Sequence, residues 1–103
     1  MIAPVLPPDL DDFGLAAWNT AYRSAVAHRI WRPEFCIGLA ALARVASSYI
    51  RDPEPAEVRR LLRQSMIDFA VLPAGAADFL GEVRPDGIDA DIAALCGLAP
   101  PAP

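Results

Sequence analysis

Lysine is missing from this chain of 103 residues: all nine basic residues are arginine. With abundant alanine and proline, that usage points to coding bias in a GC-rich genome and hence to a bacterial source, so arginine by itself carries little functional meaning. Cysteine is also scarce. Cys36 and Cys96 stand sixty positions apart, and neither the close ligand spacing of a zinc site nor the C-x-x-C of a redox pair is present. Each lies in apolar sequence, where a cysteine acts as a small buried hydrophobe. No Gly-rich phosphate loop, H-E-x-x-H or G-x-S-x-G occurs, which removes the best-defined signatures of phosphate, zinc-hydrolase and serine-hydrolase chemistry. No cofactor or metal is expected. The start "MIAPVLPPDL" has no basic n-region and is broken by prolines, unlike a secretory signal. No apolar run approaches the roughly 20 residues of a membrane span. A cytoplasmic protein with reduced thiols is expected.

β-Branched and aromatic residues are too sparse for a sheet-rich fold, whereas twenty residues are alanine, the strongest helix former. The hydrophobic fraction of 54% against 21% charged residues favours burial over disorder. The chain length suits one domain that folds without metals or disulfides. The expectation is therefore an all-α fold: a compact single-domain helical bundle at residues 9–98, with three main helices and one or two short C-terminal ones. An irregular leader (1–8) and a disordered Pro-rich tail (99–103) flank it.

The first helix is predicted from a cap at Asp9 to about Trp31, with Leu15, Trp18, Tyr22, Val26 and Ile30 along one stripe. Pro33 disfavours helical geometry at Arg32 and suits the first turn of the next helix, which runs to about Arg51. That second helix holds nine uncharged positions from Phe35 to Ala43, and apolar residues surround most of its circumference. Such a helix is expected to be covered on several sides. Gly38 within it suggests close approach of a neighbour.

"RDPEPAEVRRLL" supplies Asp52 as a cap and prolines suited to a first turn. The third helix follows to about Leu72, with Val58, Leu61, Leu62, Ser65, Met66 and Phe69 inside and Arg59, Arg60, Arg63, Gln64 and Asp68 outside. A short helix over 76–83 would bury Phe79, Leu80 and Val83. "RPDG" at 84–87 reads as a turn, Asp89 caps a last helix burying Ile92 and Leu95, and Gly97 stops it.

The net charge of −4 disfavours nonspecific binding to nucleic acid or anionic membrane. Charge is segregated along the chain: residues 1–22 carry −3, residues 23–63 carry +4 and residues 64–103 carry −5. Basic and acidic faces are expected to meet within one fold or across an interface. A helix-turn-helix reading of 55–83 fails because its supposed recognition helix, "AADFLGEV", has two acids and no base.

Three function classes remain. The leading one is a non-catalytic protein-interaction module, such as an accessory subunit, adaptor, small chaperone or regulator. Its candidate partner-binding residues are the aromatics Trp18, Tyr22 and Trp31 and the basic Arg59, Arg60 and Arg63, because Trp, Tyr and Arg are favoured interface anchors. The aromatic stripe and the opposed charges also suggest a homodimer. A DNA-binding regulator would use the Arg-rich centre, where "RSAVAHRIWR" interleaves bases with Trp31. A small enzyme would centre on His28 and Cys36, with Ser24 or Ser47 as other nucleophiles.

Overall fold

The computed structural model describes residues 6–53, 56–73 and 83–98. These form α1 (Asp12–Ala27), a 3₁₀ turn (Pro33–Phe35), α2 (Cys36–Arg51), α3 (Ala56–Asp68) and α4 (Ala90–Leu95). No strand occurs among the described residues, which hold one isolated bridge between Val83 and Asp89. The fold is a small all-α domain, as the composition predicts. The leader to residue 5, the connection over 74–82 with most of the predicted 76–83 helix, and the 99–103 tail lie outside the described residues. Val83 itself is exposed rather than buried.

α1 starts two residues after the expected cap. Asp11, in extended conformation, accepts the Gly14 N–H at 2.8 Å and satisfies one of the unpaired donors of the first turn. Asp9 lies outside the helix and pairs with Arg44 of α2. α1 also ends early. Arg29 adopts φ 59°, its N–H donates to the Val26 carbonyl and that of Ile30 to Ala25, the paired bonds of a left-handed helix stop. α3 ends the same way at Ala70 (φ 61°), where Ala70 and Val71 donate to Ile67 and Met66. Gly97 closes α4 with the same pattern. Only the last of the three stops carries the expected glycine.

The core is built on small residues. Ala17, Ala21 and Ala25 of α1 and Ala43 and Ala46 of α2 are buried with Trp18, Leu39, Leu42 and Tyr49, so the two helix axes come close together. Close approach occurs at Gly14, not Gly38: a Cβ on Gly14 would sit 3.3 Å from the Ala43 carbonyl oxygen and 3.2 Å from Leu10 Cδ2. Gly38 is exposed and would meet only Phe69 Cζ at 3.7 Å. Leu62, Met66 and Phe69 of α3 and Ile92, Leu95 and Cys96 at α4 complete the core. At the end of α4, Gly97 lies against Ala16 of α1, its Cα position leaving 3.4 Å from a Cβ to the Ala16 methyl.

The second helix departs from expectation in an instructive way. Among the described residues, α1 and α3 pack against it and Asp89 at the start of α4 reaches its Tyr49, so Leu39, Leu42, Ala43, Ala46 and Tyr49 are buried while Ile37, Ala41, Arg44, Val45 and Ser48 are exposed. α3 is rotated from its predicted setting. Leu61, expected inside, is 66% exposed, and Arg63, expected outside, is 2% exposed. A contrast in stability follows: Leu42→Ala should cost about 2–5 kcal/mol by leaving a core cavity, whereas Ile37→Ala should change stability by under about 0.5 kcal/mol as a surface substitution. Urea denaturation followed by circular dichroism measures both.

Candidate functional site

Arg63 is buried because a carboxylate waits for it. Asp89, with 0% of its surface exposed, accepts from Arg63 Nη1 through both oxygens at 3.1 and 3.0 Å and from Arg59 Nε at 2.6 Å. The same carboxylate caps α4 by accepting the N–H groups of Asp91 and Ile92 at 2.8 and 3.2 Å. Asp91 takes a further bond from Arg63 at 2.9 Å. The Asp89 N–H donates to the Tyr49 hydroxyl at 3.0 Å. One residue thus joins the three helices, its carboxylate reaching α3 and α4 and its N–H reaching α2. A carboxylate so fully bonded is a structural tie: its acceptor sites are filled and solvent does not reach it.

A second polar group fixes the start of α1 to α2. Asp11 accepts from Ser47 Oγ at 2.7 Å on each oxygen and pairs with Arg51, while Arg44 holds Asp9 through Nε at 2.9 Å and Nη2 at 3.1 Å. The Arg44 guanidinium keeps the Asp9 carboxyl below its ordinary value, and the Gly14 amide, then Ser47, do the same for Asp11.

The expected partner-binding residues do not form one surface. Trp18 is 7% exposed and belongs to the core. Tyr22 and Trp31 are half-buried and continue inward as a row of rings: Trp18 to Tyr22 at 5.3 Å, Tyr22 to Trp31 at 4.9 Å, Trp31 to Phe35 at 6.2 Å and Phe35 to Phe69 at 5.8 Å between centroids. The last three are edge-to-face, a favoured aromatic geometry. The Trp31 indole N–H is buried without an acceptor among the described residues. The aromatic stripe is therefore largely packed against other rings of the same chain. Arg59 and Arg63 turn to Asp89, and of the six residues only Arg60 is exposed.

Of the eight arginines in the basic centre, Arg44, Arg51, Arg59 and Arg63 face carboxylates, while Arg23, Arg29, Arg32 and Arg60 are exposed. His28 and Cys36 share no hydrogen bond among the described residues. His28 is exposed, its Nδ1 2.8 Å from the Ser24 carbonyl oxygen, and the cavity of about 510 Å³ that it borders is otherwise lined by Ile67, Ala70, Val71, Leu72 and Pro73. Cys36 is half-buried at the start of α2; Cys96 is buried, and burial, with a smaller effect of the Asp11 carboxylate, pushes its thiol up to about 12. No cluster of three metal-ligating side chains occurs among the described residues, and no described helix is long and apolar enough to cross a membrane.

What the fold does assemble is an apolar crevice between α2 and α3. Ala41, Leu42, Val45, Leu61, Leu62 and Ser65 line a shallow depression of about 100 Å³. Further along lies a larger cavity of about 390 Å³, lined by Glu34, Phe35, Gly38, Asp68 and Phe69. Ile37, 84% exposed, stands on the same stretch of α2, one turn before Ala41. Sequence reasoning missed this face because it assigned every apolar residue of the second helix to burial. The available signal was the excess: a helix packed on part of its surface cannot cover apolar residues around its full circumference.

Two measurements check the polar ties. Asp89→Ala should destabilise the fold by about 3–5 kcal/mol, because it removes the buried carboxylate that Arg59 and Arg63 share and the cap of α4; loss of a cooperative thermal transition would report it. For Asp9 and Asp11 the folded values lie below the ordinary 3.8, so their stabilisation is present above that value and disappears as the pH falls through the folded values. Asp11→Ala should lower the melting temperature at neutral pH, and its difference from the unsubstituted chain should narrow below roughly pH 4.

Compared with known protein families, curated proteins and solved structures, the chain matches none of them.

Proposed function

We propose that the chain is a non-catalytic protein-interaction module, an accessory or regulatory domain that engages another protein through the α2–α3 crevice. The observation that supports this reading most is the exposure of Val45 and Leu61, two large apolar residues lining one crevice, with Ile37 exposed on the same helix as Val45. Single exposed leucines are ordinary on a protein surface; several along one groove are the pattern of an interaction site. The basic residues support it from the other side. Four of the eight arginines of the basic centre are matched to carboxylates within the domain. A cytoplasmic location is part of the reading, since Cys36 and Cys96 are unpaired thiols, the state that a reducing compartment maintains.

The test uses Ile37→Asp with Leu61→Glu. Aspartate near the start of α2 suits the helix dipole, and glutamate is a good helix former, so the fold should persist. Affinity capture from the native host should return a stoichiometric partner with the unsubstituted chain and about tenfold less of it with the double variant, at an unchanged melting temperature. Equal recovery by both proteins, or turnover of a small molecule by the purified chain, would refute the proposal.

A further inference from the structure

The crevice has one chemically distinct end. The cavity of about 390 Å³ is walled by Phe35 and Phe69, whose rings meet edge to face at 80°, and it is rimmed by the carboxylates Glu34 and Asp68. Both acids are exposed, and no described basic residue lines the cavity. Aromatic ring faces attract cations through their quadrupole, and two carboxylates at the rim add a field of the same preference. Gly38 contributes no side chain to this wall, so the gap stays wide enough for a flexible stem. Apolar walls under an acidic rim suit a side chain that is itself apolar along its stem and charged at its tip, as lysine and arginine are.

The other end, around Val45 and Leu61, is apolar throughout apart from Ser65. Gly38 and Val45 are seven residues apart on α2, which is about 10 Å along the axis. Between two helices there is no unpaired backbone for an extended chain to bond, so an occupant must satisfy its own hydrogen bonds. An amphipathic helix does so, and it offers side chains at i, i+4 and i+7 along one face, a span that matches the distance between the two ends.

We propose, resting on the interaction-module reading above, that the crevice holds an amphipathic helix of a partner protein, with apolar side chains over Val45 and Leu61 and a lysine or arginine seated between Phe35, Phe69, Glu34 and Asp68. The charged seat sets the direction in which the partner helix lies, because only one end of the crevice accepts a cation.

A phage-displayed random library of about 16 residues, long enough for marginal helix formation, panned on the intact protein tests this without knowledge of the natural partner. Enriched sequences should place a lysine or arginine seven positions from an apolar residue, with a second apolar residue between them. A synthetic peptide of the best sequence should bind about tenfold more weakly to the Glu34→Gln, Asp68→Asn double variant, and the same loss should follow replacement of its basic residue by glutamine. Combining both changes should cost little more than either alone, since they act on one contact. Binders without a basic preference, or with equal affinity for the charge-neutral variant, would overturn the cation seat and leave the module reading intact. Binders unaffected by Ile37→Asp with Leu61→Glu would place the binding face elsewhere and overturn both. A chain that sediments as a dimer at tens of micromolar, and as a monomer with Leu61→Glu, would show a second copy covering the crevice and overturn the partner helix.

Discussion

The buried carboxylate of Asp89 is the constraint that organises the second half of the molecule. A charge removed from water must be matched by charge and hydrogen bonds at close range, and the chain meets that demand from three directions: Arg59 and Arg63 on α3, the α4 amides, and Tyr49 on α2 holding the adjacent N–H. α4 is only six residues long and is far too short to be stable alone. Its place is fixed by this cap and by Ile92 and Leu95 beneath it. The rotation of α3 that buries Arg63 also carries Leu61 toward solvent. The polar tie and the apolar crevice are therefore two sides of one packing decision, and the exposed face is a consequence of satisfying the interior charge.

Much of the fold is legible in the sequence because local chemistry and tertiary context agree there. The Arg32–Pro33 break, the start of the second helix, the Asp89 cap and the Gly97 stop each follow from a residue whose conformational preference is strong. The misses have a common physical origin in contacts made at long range. Asp9 and Asp11 are equivalent caps by type, and Ser47 and Arg51, thirty-six and forty residues away, favour the second. Helix ends at Arg29 and Ala70 carry no glycine, so nothing local marks them; Ile30, Val71 and Leu72 pack against the core just beyond these stops. Arg63 looks solvent-facing until Asp89, twenty-six positions later, is placed beside it.

The candidate site was less legible than the fold, for a reason of degree. Aromatic and arginine residues mark interfaces only when they are exposed, and here Trp18, Arg59 and Arg63 serve the interior. Ordinary aliphatic residues carry the open face, and aliphatic residues have the same sequence appearance whether they meet a partner or a core. Their number on the second helix, set against the surface its neighbours cover, is the quantity that distinguishes the cases.

The contact of Gly97 with Ala16 gives the described unit a particular topology. The chain enters near the beginning of α1 and leaves beside it, with the buried Cys96 close enough to feel the Asp11 charge. Entry and exit at neighbouring points let a domain be carried as an insertion in a loop of another protein, or be reconnected as a circular permutant, without stretching a linker across its surface.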